Sequence, residues 1–280
     1  MEIITQFEAM RDWAQRRRRE GRTIALVPTM GYFHEGHLSL MRLAATRTPH
    51  VVVSLFVNPT QFAPGEDLED YPRDQQRDAA LAADCGVEVL FCPDPSAMYP
   101  PDFRTMVTVT GLSSEVLCGR SRPTHFTGVA TVLTKLFNLV QPHQAVFGEK
   151  DFQQLAVIRA LVRDLNWDLE VVGHPIVREA DGLAMSSRNV YLNQEQRQAA
   201  LALPRSLALA RNQVAGGEHN PAVLRSELAA MLEAAGLKWE YIEFVDAATL
   251  APVKQVASGT VLAVAARSGK TRLIDNCRFD

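Results

Sequence analysis

The chain has 280 residues, 47% of them hydrophobic and 22% charged, which is ordinary for a globular protein with a sizeable core. The formal net charge of −3 argues against nucleic acid as a partner, because domains that bind nucleic acid usually carry a basic excess. No apolar run approaches the roughly 20 residues of a membrane span, and the N-terminus lacks a secretory pattern. We therefore expect a cytoplasmic protein that does not act at a membrane.

Strands and helices alternate in the first part of the chain. The first helix is predicted to open with a capping box of Thr5 and Glu8 and to stop at Gly21. Further helices are predicted at residues 37–46, 74–84, 127–140 and 151–166, and strands at 23–28, 51–57, 87–91, 145–147 and 169–172. Apolar strands separated by helices indicate a doubly wound α/β domain with a parallel sheet.

The pattern changes after about residue 174. Asn193 with Gln196 is predicted to cap a helix that runs to about residue 214, and Asn220-Pro221 opens another. Short strands follow at 241–245, 260–265 and 271–274. We therefore predict two domains, residues 1–175 and a smaller α+β domain at 176–280 that closes over the first. The long polar segment 58–74 is predicted to be a lid.

The first motif runs from Pro28-Thr29-Met30-Gly31 into His34-Glu35-Gly36-His37. Two histidines three residues apart lie on one face of a helix start, and helix N-termini attract phosphate. Gly36 lets the backbone approach a nucleotide closely. The histidine pair alone also fits a surface or metal-binding pair, but the preceding strand and turn favour a phosphate site.

Two further segments carry groups suited to phosphate. Gly148-Glu149-Lys150-Asp151 follows a strand and opens a helix, so Lys150 is placed to meet a triphosphate as a point charge. It is not a Walker loop, and alone it would indicate only a charged turn. Met185-Ser186-Ser187-Arg188-Asn189 combines hydroxyl groups with a permanent cation, which suits a loop closing over leaving phosphates.

Amide side chains are expected beside this site. Asn58 and Gln61 follow the second strand, and Gln154 lies one turn into the helix after Lys150. They could bind a small polar substrate from two sides, or they could serve only as capping and turn-forming amides. His125 could likewise be a structural histidine or a contact to the site.

Taken in order, these segments resemble the pantothenate synthetases, the family of pantoate–β-alanine ligases. The resemblance covers nearly the whole chain, and its most specific part is the run from Val177 to Asn189. It implies a Rossmann-like nucleotidyltransferase fold for the first domain. It also implies a two-step reaction, in which pantoate attacks the α-phosphate of ATP and β-alanine then displaces AMP to give pantothenate.

The resemblance also implies roles for individual residues. ATP is expected to contact Met30, Gly31, His34, Gly36, His37, Gly148, Glu149, Lys150, Asp151, Val177, Met185, Ser186, Ser187 and Arg188. Pantoate is expected at Gln61 and Gln154, with Gln61 also near β-alanine. His34, His37, Lys150 and Arg188 are the expected catalytic residues, with His37 the family's proton donor. Magnesium and a homodimer are implied as well, with no protein ligand assigned to the metal.

Two other functions compete with this prediction. Cytidylyl- and adenylyltransferases use a similar first domain, but they lack the run from Val177 to Asn189 and the paired glutamines. A catalytically silent nucleotide-binding regulator is the other possibility. Such a protein would be expected to lose His37, Lys150 or Arg188, and all three are present.

Overall fold

The computed structural model describes all residues from 1 to 280 and contains two β-sheets. The first has six parallel strands in the order β1-β4-β3-β2-β5-β6. The strands are β1 (Glu2–Ile4), β2 (Ile24–Thr29), β3 (His50–Leu55), β4 (Val89–Phe91), β5 (Gln144–Gly148) and β6 (Glu170–His174). After β4 the chain returns to the other side of β2, so the strand order reverses between β2 and β5.

Helices cover both faces of this sheet. They are α1 (Phe7–Arg19), α2 (Glu35–Arg47), α3 (Gln75–Asp84), α4 (Pro95–Met98), α5 (Cys118–Ser121), α6 (His125–Val140) and α7 (Phe152–Asp164). Side chains alternate along β3: Val52 packs with α1, α6 and α7, whereas Val51 and Val53 pack with α2 and α3. The predicted doubly wound α/β fold is thereby confirmed.

The C-terminal part is a small α+β unit, as predicted. Its antiparallel sheet has the order β7-β8-β9, with β7 (Lys238–Asp246), β8 (Thr260–Ser268) and β9 (Thr271–Arg278). Its helices are α8 (Gln194–Ala200), α9 (Ala202–Ala215) and α10 (Pro221–Ala234), and leucines of α9 and α10 pack against this sheet. The domain boundary at residues 175 and 176 stays a prediction. No helix in the structure has the length and apolar character needed to cross a bilayer.

Two details of the predicted helices were wrong. The chain is still extended at Ile4, which pairs with Phe91, so α1 begins after Gln6 and no capping box of Thr5 and Glu8 forms. The helix expected up to residue 214 is divided into α8 and α9 at Leu201. Pro204 explains the division, because proline lacks an N–H and its ring clashes with the carbonyl four residues earlier. The Asn193 and Asn220 caps are confirmed.

A glycine in α6 holds the segment that follows β3. The short 3-10 helix Pro59–Gln61 lies directly on α6 at Gly128, whose carbonyl accepts a hydrogen bond from Asn58 at 3.1 Å. A β-carbon at position 128 would lie 2.7 Å from the backbone nitrogen of Gln61 and closer still to the Thr60 carbonyl. Only glycine therefore allows the two backbones to approach this closely.

We expect Gly128→Ala to destabilise the protein, because its methyl group would overlap backbone atoms that cannot simply rotate away. Overpacking of this kind costs about 1–3 kcal/mol in the free energy of unfolding, which denaturant titration would measure. Gly148→Ala is the control for stability, since its added methyl group would meet no atom within 4 Å. Equal stability of the two variants would contradict this description of the contact.

Candidate active site

A cavity of ≈ 240 Å³ opens at the carboxyl ends of β2 and β5, where the strand order reverses. Ligands of open α/β sheets bind at such a switch point. The cavity brings together most of the residues selected from the sequence: Met30, His34, Gly36, His37, Gln61, Gly148, Lys150, Asp151, Gln154, Val177, Met185, Ser186, Ser187 and Arg188. Gly31 and Glu149 belong to the same turns but do not line it.

A buried carboxylate shapes the turn after β2. Asp78, which is 1% exposed, accepts hydrogen bonds from the backbone N–H groups of Tyr32 at 2.6 Å and Phe33 at 2.7 Å. Gly31 has a φ of +86°, and a β-carbon there would lie 3.0 Å from the Asp78 carboxylate. Burial raises the pKa of Asp78. The sequence analysis missed this residue, because it comes from α3, more than 40 positions away.

The rings of the two histidines lie against each other at a tilt of 31° at the start of α2. Their ring centroids lie 4.1 Å apart, and the backbone N–H of His34 donates to Nδ1 of His37 at 3.4 Å. A β-carbon on Gly36 would come within 2.9 Å of the His34 ring, so glycine is required between them. The His34 side chain turns back toward the backbone N–H of His37 in a capping box, but its buried Nδ1 makes no well-aligned hydrogen bond within the protein.

Both histidines are neutral at pH 7 in this state. Burial lowers the pKa of His34 to about 4, and Lys150 adds to the effect. Burial, the neighbouring His34 and Lys150 also lower the pKa of His37 well below its usual range. A neutral imidazole can donate one hydrogen bond, and a bound anion would favour its protonation.

The second segment is fixed by the C-terminal sheet. Residues Glu149–Asp151 form a 3-10 helix between β5 and α7. The side-chain amide of Asn276 on β9 donates to the backbone carbonyls of Glu149 at 2.9 Å and Lys150 at 3.0 Å. Lys150 keeps its ammonium group in the cavity, with only a distant carboxylate oxygen of Asp151 at 3.9 Å. It is therefore the cation most available to a ligand.

The third segment is held to β9 as well. Arg178 forms a bidentate ion pair with the buried Asp275, at 2.7 and 2.9 Å. The side chain of Asn189 donates to Glu179 at 2.6 Å and to the carbonyl of Ala184 at 3.1 Å. These bonds fold the run from Val177 to Asn189 back on itself and place its serines at the cavity.

Arg188 is already paired with the predicted lid. Its guanidinium group donates to both carboxylate oxygens of Asp67 at 2.8 Å and lies over the ring of Tyr71. The Tyr71 hydroxyl lies 3.1 Å from that of Ser187. A second bidentate pair joins Arg122 to Glu66 at 2.6 Å. The loop after β3 is therefore docked over the cavity through two arginine–carboxylate pairs.

The predicted amides Asn58, Gln61 and Gln154 also line the cavity. Gln61 accepts a hydrogen bond from Asn58 at 3.0 Å, and its own amide nitrogen meets only the sulfur of Met30, a weak acceptor, at 3.1 Å. Nδ1 of His125 lies 2.8 Å from the Gln61 carbonyl oxygen. His125 therefore supports the backbone of Gln61 and also lines the cavity, while its contact with a ligand stays a prediction.

Between these polar groups the cavity has an apolar wall. It is formed by Phe56 and by one stripe of α6, at helical spacing, that consists of Val129, Val132, Leu133 and Leu136. The cavity opens into a cleft of ≈ 1040 Å³ between the two sheets, and Lys150, Gln154 and Arg188 line both spaces. The site thus has a polar mouth toward the cleft and an apolar inner end.

Comparison with known proteins gives one consistent result. The family model described as pantoate-beta-alanine ligase matches residues 2–278. A pantothenate synthetase from Desulfatibacillum aliphaticivorans is 53% identical, over 99% of this chain and 98% of its own length. One from Geobacter sulfurreducens is 54% identical over the same shares of the two chains.

Two solved structures have the same architecture. The crystal structure of pantothenate synthetase from Thermus thermophilus has a TM-score of 0.94 at 45% identity, covering 99% of both chains. That of pantoate-beta-alanine ligase from Francisella tularensis, complexed with "Beta-gamma ATP" and beta-alanine, has a TM-score of 0.83 at 31% identity. The second match covers 99% of this chain and 97% of the other.

We expect the free energy of unfolding of the protein to fall in acid. Burial, with a contribution from Arg122, lowers the pKa of His125 to about 4, so the unfolded chain binds this proton near pH 6.5 and the folded chain near pH 4. Stability present above pH 6.5 is therefore lost as the pH falls toward 4. His125→Asn removes this titrating group. The slope of the unfolding free energy against pH should therefore fall by up to about 1.4 kcal/mol per pH unit.

Denaturant titrations of both proteins at several values between pH 4 and pH 7 would measure the two slopes. Parallel slopes would show that His125 is protonated equally in the folded and unfolded states, contrary to this prediction.

Proposed function

The chain belongs to the pantoate-beta-alanine ligase family, and on this basis we propose that its cavity joins pantoate to β-alanine using ATP. The observation that carries the proposal is the convergence of three phosphate-suited segments and two glutamines on one cavity. Its polar mouth suits a triphosphate and a carboxylate, and its apolar inner end suits the two methyl groups of pantoate.

The first step forms pantoyl adenylate. A pantoate carboxylate oxygen attacks the α-phosphorus of ATP, and the bond from that phosphorus to the bridging oxygen breaks. Pyrophosphate leaves with the electron pair. Lys150, which lines the cavity, and the N–H groups at the start of α2 would stabilise the charge that develops on the phosphates. No protein nucleophile is needed, because the substrate carboxylate attacks.

The histidines contribute to the same step as hydrogen-bond donors. The rings of His34 and His37 both line the cavity, where we propose that the phosphates lie. Burial lowers the pKa of His37, so the proton-donor role that the resemblance implies would require its ring to take up a proton when ATP binds. The negative triphosphate would favour that uptake.

In the second step the amine nitrogen of β-alanine attacks the acyl carbon of the adenylate. The bond from that carbon to the phosphate-linked oxygen breaks, AMP leaves with the electron pair, and the nitrogen loses a proton. Gln61 and Gln154, which line the cavity, would hold polar groups of pantoate through both steps, and Gln61 would also contact β-alanine.

Magnesium is proposed to enter with ATP. No group of three or more His, Cys, Asp and Glu side chains is arranged to hold a metal ion in the structure. Magnesium keeps several waters and is usually held by substrate phosphates with one or two carboxylates, so such a group is not required. The homodimer and the cytoplasmic location implied by the resemblance are retained as parts of this proposal.

The test of the proposal is the substrate requirement for AMP release. We expect steady AMP release only when ATP, pantoate and β-alanine are all present, and pyrophosphate release with pantoate and ATP alone. A nucleotidyltransferase would need no amine, and a silent nucleotide-binding regulator would release neither product. Either of those results would contradict the proposed reaction.

Lys150→Ala should slow pyrophosphate release strongly while the fold stays intact. Removing one preorganised donor to transition-state charge typically costs about 10²–10³ in kcat, so we expect a loss of that size. Lys254→Ala is the control, because this lysine is exposed and lies outside the cavity. Single-turnover measurements with saturating pantoate would compare them, and near-native release by Lys150→Ala would refute the role.

Asp67→Asn should bind ATP more tightly than the native protein. It keeps the size of the side chain but removes the charge that now pairs with Arg188. Loss of about 1 kcal/mol of repulsion between the Asp67 carboxylate and the ATP phosphates would tighten binding about fivefold. Asp70→Asn is the matched control, since it removes the same charge from the same loop without touching Arg188. Equal effects of both variants on equilibrium ATP binding would argue against competition for Arg188.

A further inference from the structure

One face of the C-terminal sheet lies against the helix that follows Lys150. Side chains alternate along β9, so Asn276 shares a face with Ile274. Ile274 packs in a small apolar cluster with Val157 of α7. Asn276 is therefore carried to the start of α7, where the turn with Lys150 lies, by a strand that is more than 100 positions away in the sequence.

Asn276 binds this turn with both hydrogens of its side-chain amide. Nδ2 donates to the backbone carbonyl of Glu149 at 2.9 Å and to that of Lys150 at 3.0 Å. The amide group has two N–H donors, so both bonds can form at once. Asn276 is buried, at 7% exposure, which largely shields them from water. Because the two carbonyls flank the Cα atom of Lys150, the bonds fix the direction in which its side chain leaves the backbone.

The turn has no comparable support from nearby residues. Neither the 3-10 helix Glu149–Asp151 nor α7 has a side-chain cap at its N-terminus. The ammonium group of Lys150 has only the distant carboxylate oxygen of Asp151, at 3.9 Å. Asn276 is the one side chain that hydrogen-bonds to the backbone of residues 149–151. The position of Lys150 therefore depends on a residue of the C-terminal sheet.

Position matters for a cation that stabilises a transition state. Its benefit depends on being held in place before the reaction, and a displacement of about 1 Å can cost about a hundredfold in rate. Resting on the proposed function, we propose that Asn276 is a positioning residue for the formation of pantoyl adenylate. It lies outside the smaller cavity and acts through Lys150.

The first experiment measures single-turnover release of pyrophosphate from pantoate and ATP. Asn276→Ala removes both donors, and Asn276→Leu removes them while keeping a side chain of similar size. We expect both variants to release pyrophosphate at least tenfold more slowly at saturating substrates. The half-saturating concentration of ATP should stay within threefold of native, because an interaction made chiefly in the transition state lowers the rate rather than ground-state binding.

A double-mutant cycle shows whether Asn276 acts through Lys150. Once the lysine is removed, its support has nothing left to position. The double variant Lys150→Ala/Asn276→Ala should therefore release pyrophosphate within about twofold of Lys150→Ala alone. Residues that act independently would instead multiply their two losses.

Phe279→Leu is the control for a general weakening of the C-terminal sheet. Phe279 stacks on Phe244 in the core of the C-terminal part, and neither residue lines the cavity or the cleft. Removing part of a buried ring should lower the unfolding temperature. The rate of pyrophosphate release should stay within twofold of native, because the contact of Asn276 with the turn is kept.

Hydrogen exchange gives a readout that needs no activity. A peptide covering residues 148–154 should exchange its amide hydrogens faster in Asn276→Ala than in the native protein or in Phe279→Leu, because the turn opens more easily without the two bonds. Unchanged exchange would show that Asn276 does not restrain this turn and would overturn the inference.

Four kinetic results would also overturn it. These are near-native release by Asn276→Ala, a loss in Asn276→Ala that Asn276→Leu does not share, multiplied losses in the double variant, and an equal loss in Phe279→Leu. A native protein that releases no pyrophosphate with pantoate and ATP would instead refute the proposed function. Faster exchange in Asn276→Ala would then still confirm the contact with the turn, which separates the two failures.

Discussion

Between β2 and β5 the order of strands reverses, so the helices that follow these two neighbouring strands, α2 and α7, leave the sheet toward opposite faces. The gap between them is the cavity, and every residue assigned to phosphate either lies at one of these two strand ends or is brought there. Because both loops leave the same edge of a parallel sheet, segments more than 100 residues apart in sequence meet within one small volume.

The site depends on hydrogen bonds between distant segments more than on local structure. Asp78 fixes the turn before the histidines, Asn276 fixes the turn that carries Lys150, and the pair of Arg178 with Asp275 fixes the serine-rich segment. Two of these three interactions are made by residues of β9, so the small C-terminal sheet helps to support the site. Among the cations that line the cavity, Arg122 and Arg188 are neutralised by lid carboxylates, which leaves Lys150 most available to a ligand.

Much of this site could be predicted from the sequence, because motif residues such as His37, Lys150 and Ser186 directly follow strands or lie in a distinctive run. The supporting residues could not be predicted. Asp78 and Asn276 lie within ordinary helix and strand patterns, and only tertiary contact shows what they bind. The capping box of Thr5 and Glu8 failed for a related reason: pairing of β1 with β4 keeps the chain extended through Ile4 and overrides a local preference.

The central claim is that the cavity directs a carboxylate to the α-phosphorus of ATP. Pantoate labelled with ¹⁸O in both carboxylate oxygens tests it most directly, with mass spectrometry of the products after one turnover with ATP and β-alanine. The account predicts one labelled oxygen in AMP and one in the amide of pantothenate. Label in orthophosphate, accompanied by ADP, would show attack on the γ-phosphorus and would contradict the account.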